Sequence, residues 1–175
     1  MRQTETDDKI QEKQAILIVD DSEMNRAILT DMLQEDYRTL EAENGVQAVE
    51  LIRKYSDAID LVLLDITMPE MDGFEVLAIM NKYHLIDNIP VIMISAERAS
   101  SYMERAYELG VTDYISRPFD ALIVRRRVEN TLMLYAKQKR LVGLVADQVY
   151  EKERNNSMMV NILILKIKMM KERIK

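Results

Sequence analysis

Residues 61–73, LVLLDITMPEMDG, run apolar for four residues, stop on the carboxylate of Asp65, and break at Pro69 and Gly73. An apolar run without alternation reads as a strand covered on both faces, and the proline and glycine after it mark a turn before the next helix. Similar runs occur at 15–19 and 90–94, with weaker ones at 37–42 and 113–116. Between them, residues 22–35, 44–55, 73–82 and 98–109 repeat apolar positions at helical spacing. The order βαβαβαβαβ, followed by a further helix, predicts an α/β fold with a parallel sheet and helices on both faces. Sheets of this kind bind ligands beyond the carboxyl ends of their strands, where the strand order switches.

That rule explains why a buried strand should end on an acid. Asp65 stands where the third strand emerges, Asp20 and Asp21 close the first in AILIVDDSE, Ser95 closes the fourth in VIMISAE, and Arg117 follows the fifth in DYISRPF. One edge collects three carboxylates, a hydroxyl and a cation. Carboxylates gathered this closely resist ionising together, so a hard divalent cation is their natural neutraliser. Magnesium suits a site of few carboxylates, retained waters and a phosphoryl oxygen. Plainer readings stand beside this one: Asp21 and Ser22 as a helix cap, Tyr114 as a packing aromatic, and MPEMDG as a turn and helix start.

Composition narrows the classes. Of 175 residues, 48% are hydrophobic and 31% charged, an ordinary globular balance. There is no cysteine, which excludes a disulfide framework and a thiolate metal site, and the single histidine cannot form a histidine cluster. That residue, His84 in NKYHLIDN, reads as a solvated loop position. The opening MRQTETDDKIQEKQ is polar and carries acids, unlike a secretory or transit signal, and a cytoplasmic location is expected. The net charge of −6 is uneven: residues 1–120 carry 11 basic and 25 acidic side chains, net −14, whereas 121–175 carry 13 and 5, net +8. All three prolines and all glycines but Gly143 precede residue 120.

Asp20-Asp21, Asp65 within DITMPEMDG, Ser95 and Tyr114-Ile-Ser-Arg-Pro118 together resemble the receiver domain of bacterial two-component response regulators. The resemblance covers residues 14–135, about two-thirds of the chain. It implies a flavodoxin-like five-stranded parallel sheet of order 2-1-3-4-5, with a flexible tail over 1–13, the receiver over 14–120 and a helical extension over 121–175. It further implies that Asp65 is the phosphoacceptor, taking a phosphoryl group from a phosphohistidine on a sensor histidine kinase. Mg²⁺ would be held by Asp20, Asp21, Asp65 and the backbone carbonyl of Thr67. Ser95 resembles the switch hydroxyl and Tyr114 the aromatic that follows it, while Thr67 and Glu97 match positions that tune the lifetime of the phosphoryl group. Such a module is a signalling switch rather than an enzyme, its chemistry confined to transfer on and off Asp65. One residue departs from the family pattern. Arg117 stands where lysine is usual; it keeps the charge but is planar and demands fork geometry. The Arg117–Pro118 bond is expected cis, as is usual in the family.

The extension reads differently. From Val128 through Leu132, Tyr135, Val142, Ala146, Val149, Val160, Leu163, Ile167, Met170 and Ile174, apolar residues recur at alternating spacings of four and three, interrupted by Lys139, Glu153 and Asn156. Over about six heptads this is a coiled-coil seam, and a continuous helix would reach roughly 75–80 Å. A parallel homodimer is expected, with an antiparallel hairpin bending at ERNNSMM as the competing arrangement. MMVNILILKIKMM is too short and too interrupted to span a membrane. A basic helix without interleaved aromatics gives no expectation of nucleic-acid binding. QVYEKERNNSMMVNIL also resembles the helical linker before an HD-type cyclic-dinucleotide phosphodiesterase domain, whose metal-binding residues are absent; two readings stay open, truncation before an output domain and signalling through the helix alone by a change in its pairing. The rival functional reading is a receiver-like scaffold that does not switch, dimerising through the helix alone. An aspartyl-phosphate hydrolase would need a D-x-D-x-T pattern that DITMPEMDG does not have.

Overall fold

The computed structural model describes residues 13–96 and 100–173, with side chains throughout except at 100, 101 and 167–173. The expected tail, up to residue 12, and Glu97 lie outside the described residues. Five strands form one sheet: β1 (Ala15–Val19), β2 (Arg38–Ala42), β3 (Leu61–Asp65), β4 (Val91–Ser95) and β5 (Asp113–Ser116). Every pairing is parallel and the order is β2-β1-β3-β4-β5, the flavodoxin-like arrangement expected. The connections are α1 (Glu23–Leu33), α2 (Gly45–Tyr55), α3 (Gly73–Lys82) and α4 (Ser100–Glu108), and α5 (Ala121–Arg173) follows β5. Among the described residues no helix is long and apolar enough to cross a membrane.

The unbroken apolar runs are explained by a core on each face of the sheet. Leu17, Val19, Val62, Leu64 and Met93 point into one, against Ile52, Phe74, Leu77 and Met80 from α2 and α3. Ile16, Ile18, Leu63, Ile92, Ile94 and Ile115 point into the other, against Leu29 and Leu33 of α1 and Val124, Val128 and Leu132 of α5. Each such side chain, fully buried, contributes roughly 1.5–3 kcal/mol. The chain leaves β1 for β2, then crosses back over β1 to reach β3, so the switch in strand order lies between β1 and β3.

Two local devices fix the loops at that edge. Ser22 caps α1 by accepting from the Asn25 N–H at 3.4 Å, so the capping reading of Ser22 is correct as far as it goes. Asp72 and Glu75 form a reciprocal capping box at the start of α3, both bonds 2.8 Å. Gly73 then comes so close to β3 that a Cβ there would lie 2.3 Å from the Asp65 carbonyl oxygen, while its N–H donates to Ile66 at 2.8 Å.

The described chain forms two compact units, one ending at Met133 and one beginning at Leu134. The first turns of α5 belong to the former: Val128 and Leu132 are buried, and Arg125 Nε donates to the Met32 carbonyl at 2.8 Å. These two apolar residues, read from sequence as the opening of the seam, are core residues, because the same four-residue spacing serves a helix on a sheet equally well. In the second unit, Val142, Val149, Val160 and Leu163 are each more than half exposed. α5 continues through Glu153 and Asn156, so the bend at ERNNSMM that the competing hairpin arrangement requires is not formed. Asn and Ser are middling helix formers, and with no glycine or proline there nothing breaks the helix.

Gly73→Ala should destabilise the chain by about 1–3 kcal/mol, since the added methyl meets backbone that cannot yield cheaply. Urea denaturation checks this, and an unchanged midpoint would show that the β3–α3 loop is not held this tightly.

Candidate functional site

Val19 pairs with Leu64 across the switch point, so the next residues, Asp20 and Asp65, emerge side by side. Both are buried, whereas Asp21 faces solvent. One oxygen from each of the three lies within 4.8 Å of the others. Asp20 Oδ1 accepts from the Ser22 N–H at 2.9 Å and the Asn25 side-chain amide at 3.1 Å. Asp65 Oδ1 accepts from the Ile66 N–H at 2.9 Å. The Oδ2 atoms share one donor, Nη2 of Arg117, which is hydrogen-bonded to Asp20 and 3.1 Å from Asp65.

Arg117 reaches this position because its backbone is fixed next to the edge strand. Its N–H donates to the Ser95 carbonyl at 3.0 Å, and the following bond to Pro118 is cis, as expected. The guanidinium replaces part of the hydration that burial strips from the two carboxylates. Its Nε is buried and has no hydrogen-bond partner among the described residues. Burial pushes the Asp65 carboxyl up to about 6, opposed by Arg117 and reinforced by Asp20. Burial alone would lower the pKa of Arg117, but Asp65 and Asp20 outweigh it and raise the pKa.

Asp20, Asp21, Asp65 and Arg117 are thus brought together. Ser95 closes β4, buried beside β3, where Ile66 donates its N–H to Ile94 at 3.1 Å. Thr67 is exposed just beyond β3. Tyr114 is buried in the core with Met103 packed nearby. Together with Pro118 and Ile123 it lines a cleft of about 350 Å³. His84 is exposed, as its sequence context suggests.

Two residues with a part in the site escaped the sequence reading. Asn25 grips Asp20 from the first turn of α1. Arg26 donates to the Asp20 carbonyl at 2.8 Å and pairs with Glu41 of β2 at 3.1 Å. The available signal was position: Asn25 stands three residues after the cap Ser22, where side chains reach back toward the cap. The three carboxylates make an all-oxygen, acidic donor set that fits a hard divalent cation such as Mg²⁺.

Residues 16–129 match the response regulator receiver domain. The chain belongs to the receiver domain family. Its receiver is 38% identical over 120 residues to sporulation initiation phosphotransferase F of Bacillus subtilis, covering 68% of this chain and 94% of that protein. It is also 38% identical over 117 residues to a Vibrio cholerae protein named "Probable cyclic di-GMP phosphodiesterase", covering 67% of this chain but only 26% of that much longer protein. Among solved structures, the CheX–CheY–BeF3–Mg complex from Borrelia burgdorferi aligns with a TM-score of 0.63 and 34% identity, over 68% of this chain and 89% of that one.

A carboxyl whose pKa rises from 3.8 to about 6 on folding favours the fold while protonated, fully below its unfolded value and no longer once pH has risen through the folded value. The shift corresponds to at most about 3 kcal/mol, which solvent screening reduces to about 1–2 kcal/mol. In metal-free buffer the receiver should lose about that much stability relative to Asp65→Asn between about pH 4 and about pH 7, measured by urea denaturation. A pH-independent difference would show that Asp65 is not held in this environment.

Proposed function

We propose that this receiver accepts a phosphoryl group on Asp65 from a cytoplasmic sensor histidine kinase and relays the change through Ser95, Tyr114 and α5. The observation that carries the reading is the convergence of Asp20, Asp21, Asp65 and Arg117 at one edge of the sheet. The ionised Asp65 carboxylate forms the new O–P bond while the N–P bond of the phosphohistidine breaks, its electron pair returning to the imidazole. Asp20, Asp21, Asp65 and the Thr67 carbonyl would hold Mg²⁺, which when bound neutralises charge on the oxygens in transfer. Catalysis is then positioning and electrostatics, with no proton abstracted from the nucleophile. Arg117 turns its N–H groups to the phosphoryl oxygens. Ser95, on the adjacent strand, donates its hydroxyl to one of them, and Tyr114 follows that movement. Thr67 and Glu97 set how readily water reaches the acyl phosphate. The kinship with a CheY whose structure holds BeF3 and Mg supports the magnesium assignment.

The exposed apolar positions Val142, Val149, Val160 and Leu163 support pairing of two copies through the second unit as a parallel coiled coil. A second reading, the scaffold that dimerises without switching, is favoured by the hold that Arg117 keeps on both carboxylates.

Intact mass after incubation with acetyl phosphate and Mg²⁺ separates the two. The expected result is one phosphoryl adduct on the native chain and none on Asp65→Asn. A folded native chain that takes no adduct, sampled faster than hydrolysis, leaves the scaffold. Native mass spectrometry of the same samples should show dimers; monomers at tens of micromolar would remove the coiled-coil assignment.

A further inference from the structure

Beyond Met133, α5 is apolar on two sides. The seam described above runs through Val142, Val149, Val160 and Leu163. Leu134, Leu141, Leu144, Met158, Ile162 and Leu165 form a second series, again at spacings of three and four once Lys137, Gln148, Glu151 and Asn155 are counted in it. Each of the six is at least 43% exposed. At 3.6 residues per turn the second series falls on the opposite side of the helix from the first: Leu144 stands two residues past Val142, and Ile162 two past Val160. One partner helix covers one seam. Pairing of two copies through the first seam therefore leaves the second in water, where apolar surface of this extent marks an interaction site.

Charge distinguishes the two seams. The flank that belongs to the first alone, Ala136, Gly143, Tyr150, Ser157 and Ile164, holds no charge, so two copies can meet there with little repulsion. The second seam is flanked by Arg140, Lys152, Arg154 and Lys166, all exposed, with Asp147 as the single acid among the flanking positions. Two copies joined through it would set cation against cation, whereas acidic flanks on the incoming helix would complement it. We propose that this second seam docks an amphipathic helix of a partner protein, apolar at heptad spacing and acidic on its flanks. The proposal rests on the reading of the first seam as the self-pairing one. In a pair built on that seam the two second seams face away from each other, so a flat anionic membrane could cover only one of them. Separate partner helices can cover both.

Fluorescence anisotropy with a labelled synthetic peptide tests this on the full chain. The probe is a few heptads long, with leucine at its seam positions and glutamate at its flanks, which keep it from pairing with itself; the control carries lysine in place of each glutamate. The native chain should bind the glutamate peptide and not the lysine one. Leu144→Glu/Ile162→Glu should bind the glutamate peptide at least about tenfold more weakly while sedimenting as the same dimer, and Arg140→Glu/Arg154→Glu should weaken binding likewise. Equal binding of both peptides, or unchanged binding by Leu144→Glu/Ile162→Glu, overturns the proposal. So does loss of the dimer in that variant, which would make the second seam the self-pairing one. Binding to phosphatidylserine vesicles but to neither peptide overturns it in favour of a membrane. A native dimer that binds no peptide rejects the docking helix and keeps the self-pairing, whereas a native monomer that binds none rejects both.

Discussion

A single guanidinium nitrogen lies between two carboxylates that the sheet forces together, and the chemistry proposed for the domain turns on that contact. Asp20 and Asp65 are adjacent because Val19 and Leu64 are paired. That pairing is fixed by cores on both faces, since a slip of one residue would exchange the two sets of inward side chains. Hydrophobic packing therefore drives two acids into a site that they would avoid by themselves. Burial raises the Asp65 pKa to about 6, and the opposing charge of Arg117 keeps it from rising further. The result is a carboxylate ionised at neutral pH yet poorly hydrated, held beside a cation.

The loops around the site are built to keep this geometry. Gly73 lies against the carbonyl of Asp65 where no side chain fits, and the α3 capping box fixes the turn that delivers it. Asn25 and Arg26, both on the first turns of α1, secure Asp20 through its side chain and its carbonyl. The second carboxylate of the Asp20-Asp21 pair is left exposed, open to an ion arriving from solvent.

Much of this could be read from the sequence, for reasons that differ by residue. The strands were legible because burial on both faces leaves continuous apolar runs, and Asp65, Asp20 and Asp21 because an acid ending such a run is conspicuous. Strand order came from resemblance, since periodicity does not encode which strand pairs with which. The bridge from Arg117 to both carboxylates was not legible: it depends on a side-chain pose set by the backbone bond to Ser95. Asn25 was missed because an asparagine near a helix start has an ordinary capping explanation. Val128 and Leu132 were assigned to the seam because an apolar stripe has the same spacing whether it meets a sheet or a second helix.

α5 carries one sequence pattern through two environments, first as core and then, from Val142 onward, as an exposed apolar stripe. Within the first unit, Arg127 of α5 is bonded to Asp113 of β5. The most direct test of the account is a pair of crystal structures, one metal-free and one with Mg²⁺ and beryllofluoride as a phosphoryl mimic. The account predicts Arg117 bridging Asp20 and Asp65 in the first. In the second, beryllofluoride sits on Asp65, Mg²⁺ on the acids, and the guanidinium has moved to the fluorides. Arg117 unmoved between Asp20 and Asp65 in the presence of both ligands, or beryllofluoride absent from Asp65, would contradict it.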